Sequence, residues 1–375
     1  MTKIRDRIKV HLKDDNLVAV LIFALLCLAP LFLSDFRINL LGKFVAYAIL
    51  ALGIDLLWGY TGSLSLGHGV FFGLGGYCMA MYMKLATSGG KLPDFMSWSG
   101  LESLPWFWKP FSSAPFALAM TILVPVVLAF LVGTLTFRNR IQGVYFSILT
   151  QALAIIFVTL FIGQQPYTGG TNGITNLKVI FGFPLGSAAT KIGLYYISVV
   201  ILLLAYLLCR LIVVRRIGKV LIAIRDGENR LRFSGYNPAV YKVFVYCISA
   251  GLAGLAGAVF VPQVGIISPA AMGIIPSVEM IIWVAIGGRG TLVGAIIGAV
   301  LVNSLKSAFS ESFPDIWSYF IGLAFITVVL FMPNGLVGIY KQIKDKSWRS
   351  GNEDNSATDS MPFETAQNIE PGNVH

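Results

Sequence analysis

Charge is scarce in this chain. Only 12% of its 375 residues are Asp, Glu, Lys or Arg, while 56% are hydrophobic; globular proteins usually carry about twice that charged share. The mean hydropathy of +0.76 leaves too little polar surface to cover a water-facing fold. That excludes a soluble protein and predicts an integral membrane protein. Histidine is scarcer still, with three copies, of which His11 and His375 lie in the tails. The four cysteines (Cys27, Cys78, Cys209, Cys247) sit in or beside apolar runs without a CxxC pair, so neither a metal site nor a disulfide framework is indicated. HExxH, GxSxG and Walker phosphate-loop motifs are all missing. No catalytic residue is therefore expected, and ATP hydrolysis would have to come from elsewhere. The net charge of +10 is confined to short gaps between apolar segments, which reads as membrane orientation and anionic-lipid contact rather than nucleic-acid binding.

What the chain does have is long apolar runs. Asn16–Ser34 carries no charge over 19 residues, about the length that crosses the hydrocarbon layer as a helix. With no small-residue cleavage site after it, we read an uncleaved first helix. Further candidates cover 38–58, 66–86, 114–137, 142–163, 193–214, 243–262, 277–288, 291–309 and 317–338. The expected fold is all-α: a polytopic bundle of about ten transmembrane helices, eight or nine being the alternatives. The segment 277–288 is too short to cross alone, so a broken or tilted helix is expected there. With the N-terminus cytoplasmic, 19 of the 28 basic residues fall on one side, seven of them in 215–242. This positive-inside pattern puts both termini in the cytoplasm. The domain reading follows: a basic cytoplasmic tail over 1–15, a transmembrane body over 16–340, and a disordered cytoplasmic tail over 341–375. Loops 87–113 and 164–192 would face the periplasm, the first as an interfacial flap holding Trp98, Trp106 and Trp108.

Candidate functional groups are few. Ionisable residues inside a membrane are costly and so draw attention: Lys43, Asp55, Lys84, Glu279 and Lys306. Glu279 and Lys306 lie near the outer surface in this topology and are placed to pair. His68, Gln151, Glu279, Asn303 and Lys306 make up the candidate translocation path, with Thr150 and Ser307 beside them. For His68 a structural hydrogen bond is the competing explanation, and for Glu279 and Lys306 a structural ion pair. Glycine, at 39 copies, marks close helix approach: Gly69 and Gly73, Gly254 within a run at spacing three, and Gly290, Gly294 and Gly298 in a double GxxxG. Packing within one subunit and a seam between subunits both fit these stripes. Glycine clusters at 59–69 and 287–290 recur at helix ends in the two halves, a hint of repeated architecture with broken helices near a substrate path.

The basic loop 215–242 is the most telling segment. Val220, Ile224, Leu231 and Phe233 suggest an apolar stripe on a short, heavily charged helix ended by Gly235 and Asn237-Pro238. Such a helix wants a partner protein, the competing reading being one that lies on anionic lipid. Arg215, Arg216, Lys219, Arg225, Asp226, Glu228, Arg230 and Gly235 are its candidate contacts.

Several motifs resemble those of the branched-chain amino-acid (LivH/LivM-type) ABC importer permeases. These are Gly59-Tyr-Thr-Gly-Ser-Leu-Ser-Leu-Gly-His68 running on to Tyr77, Gly218-Lys-Val-Leu-Ile-Ala-Ile-Arg-Asp226, Ser249-Ala-Gly-Leu-Ala-Gly-Leu-Ala-Gly-Ala258 and Pro333-Asn-Gly-Leu-Val-Gly338. Three features are similar to the urea-transporter (UrtC-type) branch of that family: the insert with Leu92-Pro-Asp-Phe95 and Leu104-Pro-Trp106, Val261-Pro-Gln-Val-Gly-Ile-Ile267, and Ile281-Ile-Trp-Val-Ala-Ile-Gly-Gly-Arg-Gly-Thr-Leu-Val-Gly294, which includes Gly287-Gly-Arg-Gly290. The resemblance implies a permease subunit of a bacterial inner-membrane importer for urea or short amides, with branched-chain amino acids as the alternative. It further implies a second homologous permease, two cytoplasmic ATP-binding subunits and a periplasmic substrate-binding protein. Loop 215–242 would hold the coupling helix. ATP and magnesium would sit on the partner ATPases, and no cofactor on this chain. A stand-alone urea channel is the reading from another class.

Overall fold

The computed structural model describes residues 16–312 together with 319, 322, 323 and 335. Both tails, and most of the tenth expected span, lie outside the described residues. Ten main helices order the rest: α1 (Asn16–Leu31), α2 (Asp35–Thr61), α3 (His68–Ser88), α4 (Ala114–Arg138), α5 (Val144–Gly163), α6 (Ala188–Val214), α7 (Arg216–Phe233), α8 (Pro238–Val264), α9 (Ile274–Gly287) and α10 (Leu292–Ser312). Six of them (α2, α4, α5, α6, α8 and α10) are long and apolar enough to cross a membrane. All but α7 match an expected span to within a few residues. The protein is an all-helical, multi-pass membrane protein.

Burial sorts these helices into a centre and a rim. The most apolar windows of α2 and α8 are 78% and 72% buried, against 28% and 22% for α4 and α5. α8 packs on α2, α3 and α4, and α2 also meets α6 and α10. With lipid as apolar as the side chains, such contacts depend on close packing rather than on escape from water. Glycine and alanine supply it. A Cβ at Gly257 would run into the Phe72 carbonyl of α3, and one at Gly254 into the Thr121 carbonyl of α4. Pro125, four residues on, has no N–H to offer that carbonyl, and its own ring packs on Gly254.

Two helices are irregular beside the glycine clusters: α2 is interrupted, and α9 is continuous but short. α2 contains a π-helical turn at Asp55–Gly59 and ends at Gly62, whose φ of +78° only glycine adopts freely. Residues 62–67 then run without helix before α3 begins at His68. α9 has 14 residues, spanning about 21 Å, and follows a 3-10 turn at Pro269–Met272 that packs on α3. At the end of the molecule opposite the basic loop, the insert 89–113 includes a short helix, Asp94–Trp98, and leaves Trp98 and Trp106 more than 80% exposed. The following loop contains the small hairpin Val179–Ile180 with Phe183–Pro184.

Candidate functional site

The candidate site forms where the glycine-rich breaks meet the basic loop. The carbonyls in the last turn of α2 face the negative end of the helix dipole, and cations are favoured there. Two arginines supply the charge. Arg225 of α7 donates from Nη1 to the Gly59 carbonyl (2.9 Å), and Arg289 donates from Nη2 to the Trp58 carbonyl (3.3 Å) while its guanidinium lies 4.9 Å from the Trp58 ring. Beneath them the fully buried Asp55 accepts the Gly290 N–H at 2.6 Å through Oδ1. Gly290 has φ +76°, and a Cβ at Gly59 would lie 2.6 Å from the Gly290 nitrogen. Only glycine at both positions lets this turn touch α2. Gly335, in the Pro333–Gly338 motif, closes on the same turn, where a Cβ would run into Gly288. The two glycine clusters, distant in sequence, are therefore in direct contact.

Loop 215–242 departs from the stripe expected of it. Ile224, with Leu221 and Gly218, is buried against the transmembrane body rather than offered to a partner, and only Phe233, at 93% exposed, points away. The helix also breaks at Gly227, where the backbone leaves helical geometry. Glu228, assigned above to an outward contact, turns inward. It pairs with Lys242 of α8 and Arg232 (2.7 Å), and accepts from Gln142 Nε2 of the α4–α5 turn at 2.9 Å. Burial alone would raise the Glu228 carboxyl; the hydrogen bonds and charges of Lys242 and Arg232 outweigh it and hold the group below the usual carboxylate range. Arg215, Arg216, Lys219, Asp226, Arg230 and Gly235 remain exposed.

His68 belongs to the helix interface. Its Nε2 lies 2.7 Å from Ser249 Oγ, which donates its only proton to the Gly53 carbonyl at 2.6 Å. The proton on Nε2 is assigned from that network, with His68 as donor. The residue thereby pins the start of α3 to α8 and α2, with the rings of Phe71 and Tyr246 edge-on to it. Asn303 shows no bond to Lys306 or Ser307; its amide donates to Ala299 on its own helix (2.8 Å). Thr150 is buried, accepting from Leu66 N (3.0 Å) and donating to Ser147 O (2.9 Å), while Gln151 beside it stays half-buried. Glu279 and Lys306 do pair, Nζ lying 2.7 and 2.9 Å from the two carboxylate oxygens, and Lys43 stands within electrostatic range of both. Lys84 is buried and bonds Asp94 Oδ2 (3.0 Å) and Thr175 O (3.1 Å), tying the insert to the following loop.

The glycine stripes are filled by the chain itself. Gly69 and Gly73 pack on Ala271 and Met272. Gly254 also lies against Gly75, and Gly294 and Gly298 lie against Gly287 and Trp283 of α9. Of the two uses foreseen for them, the structure shows packing within one subunit. Sequence reasoning named Asp55 and the 287–290 turn separately but missed their contact; it quoted Ser249 only as the start of a motif, without its bond to His68, and it did not name Gln142.

Interrupted apolar helices, joined at one end to a basic helix by charged and backbone hydrogen bonds, define a polytopic protein of transporter type. The chain belongs to the family described as branched-chain amino acid transport system / permease component, whose profile matches residues 36–330. It is 24% identical to the high-affinity branched-chain amino acid transport system permease protein LivM of Salmonella typhimurium, over 90% of this chain and 78% of that one. It is 22% identical to the corresponding protein BraD of Pseudomonas aeruginosa, over 78% and 91%. Against the ribose import permease protein RbsC of Haemophilus influenzae the identity is 24%, over 59% and 69%. No solved structure gives a significant match.

Proposed function

We propose that this chain is one transmembrane subunit of an ATP-driven importer, with α7 as the helix through which cytoplasmic ATPase subunits move it. The observation that carries this is the direct hydrogen bond from Arg225 of α7 to the broken end of α2. A helix pushed from outside the membrane would shift the turn that leads into α3. The exposed Lys219, Arg230 and Phe233 would meet the ATPase, Arg225 serving the inward side. The partners in this reading are a second homologous permease, two ATP-binding subunits and a periplasmic substrate-binding protein, with both termini and α7 in the cytoplasm. ATP and magnesium would be held by the partners.

For the substrate, the named relatives favour branched-chain amino acids over urea. One feature of the molecule agrees. The partly exposed Glu279–Lys306 pair, with Lys43 nearby, presents both signs of charge, as the carboxylate and ammonium of an amino acid require. Urea is neutral and needs only amides, hydroxyls and carbonyls. That second reading rests on the insert 87–113, the segment Val261–Ile267 and the Gly287–Gly290 turn. The test is competition in vesicles holding the full complex: unlabelled leucine should suppress ATP-dependent uptake of labelled leucine, with urea in excess leaving it unchanged. Suppression by urea would reverse the assignment. Uptake by the purified chain without ATPase subunits would remove the importer reading and favour a channel.

A further inference from the structure

Asp55 is not explained by packing. It lies one to two turns from the C-terminal end of α2, where a negative charge is disfavoured by the helix dipole. Its side chain is wholly buried, and only one of its two carboxylate oxygens is bonded. Oδ2 has no hydrogen-bond partner among the described residues. A buried carboxylate left half-satisfied is costly unless opposite charge stands close. Arg289 and Arg225 both lie within electrostatic range of it, each donating instead to a carbonyl of the next turn. Asp55 and the carbonyls of Trp58 and Gly59 thus form one negative patch roofed by two arginines from separate segments, Arg225 being paired as well, through Nε, with the exposed Asp226 at 3.0 Å. Arg289 sits on the short α9–α10 turn, itself tied to Asp55 through Gly290. Arg225 is different: it sits on α7, joined to the body at its two ends, through Glu228 and through the buried face of Gly218, Leu221 and Ile224.

We propose that Asp55 and Arg225 form a charge latch that holds α7 against the broken end of α2 and thereby keeps residues 59–67 closed over the start of α3. When α7 is drawn away, Arg225 leaves, the patch is under-neutralised, and segment 59–67 is released. That segment is held on its far side by weaker, neutral bonds: Ser147 Oγ to Leu64 O (2.7 Å) and Leu66 N to Thr150 Oγ1 (3.0 Å). A one-charge change at α7 would then be felt next to His68. The latch deepens the coupling reading given above, yet it is a property of this chain and can be tested without partners.

The test is thiol labelling of the full-length chain in lipid nanodiscs. Cys27, Cys209 and Cys247 are replaced by serine, buried Cys78 in α3 is kept as an internal standard, and Ser65→Cys reports on the segment. We expect Arg225→Gln and Asp55→Asn each to raise maleimide labelling at position 65 by about five-fold or more, with Cys78 changing by less than about two-fold. The double substitution should add nothing beyond the larger single effect, because each removes one side of the same charge interaction. Arg225→Lys keeps the charge and loses the forked geometry, and should give an intermediate rise at 65 alone. Labelling at 65 equal to the parent in both single variants would overturn the latch. So would a parallel rise at Cys78 in both Arg225→Gln and Arg225→Lys, since Arg225 would then hold the whole fold. Enhanced labelling at 65 alone with normal coupled uptake in the assembled transporter would keep the latch and refute its use in coupling.

Discussion

Replacing Lys242 with methionine should destabilise the protein more than replacing Lys242 and Glu228 together. The Lys242 and Glu228 side chains are 6% and 12% exposed and pair across the α7–α8 junction. Removing one member of a buried pair typically costs about 3–5 kcal/mol, because the other charge is left without its counter-ion. Here Arg232 and Gln142 still hold Glu228, so the expected loss is about 2 kcal/mol, within the range for a hydrogen bond to a charged group. In Lys242→Met with Glu228→Gln only the partly exposed Arg232 loses its counter-ion, and the loss should be about 1 kcal/mol or less. Thermal unfolding of the detergent-purified chain measures both. The pH dependence gives a second check. Glu228 has its carboxyl lowered in the fold, so its contribution is fully present above the unfolded carboxylate value of about 4.3 and is lost as pH falls through the lower folded value. The parent protein should therefore show an acid step that the double variant lacks. If Lys242→Met is no less stable than the double variant, or the two acid profiles coincide, Glu228 is not held by this pair.

Gly257→Leu should prevent α3 and α8 from packing. The Phe72 carbonyl occupies the space of its Cβ, so a loss of at least about 2 kcal/mol is expected in unfolding, whereas Gly163→Leu on open surface should stay within about 0.5 kcal/mol. Arg230→Glu reverses an exposed charge on α7 and should leave stability unchanged while reducing co-purification with tagged ATPase subunits by about ten-fold. Full recovery of those subunits would remove α7 as the contact.

The spans were legible because hydropathy is all they need. Nine of the ten expected segments appear as helices within a few residues of their predicted ends, since lipid forces backbone groups to bond within each segment. The breaks were legible as well: glycine at 59–69 and 287–290 marks where a helix stops, and the short segment 277–288 could not cross alone. Hydropathy also placed Glu279 and Lys306 at the same end, where charge attraction made the pair the simplest outcome.

Side-chain direction on α7 was harder to read, for a physical reason. A charged helix in a membrane protein has two apolar surroundings to choose from, the protein body and a partner, and periodicity alone does not distinguish them. The stripe chosen, Val220–Ile224–Leu231–Phe233, runs across the Gly227 break, where helical spacing no longer applies. The stripe that docks is Gly218, Leu221 and Ile224, at intervals of three, with Arg225 seven residues after Gly218 and so near the same face. Small and apolar residues at that spacing, ending in an arginine, mark a face that approaches backbone closely and then delivers a charge. What that charge meets lies 166 residues earlier, at Gly59. No local pattern shows such a contact. The broken turn of α2 does show that some donor is required, because carbonyls at the end of a helix and a buried carboxylate together leave more acceptors than the neighbouring backbone N–H groups can fill.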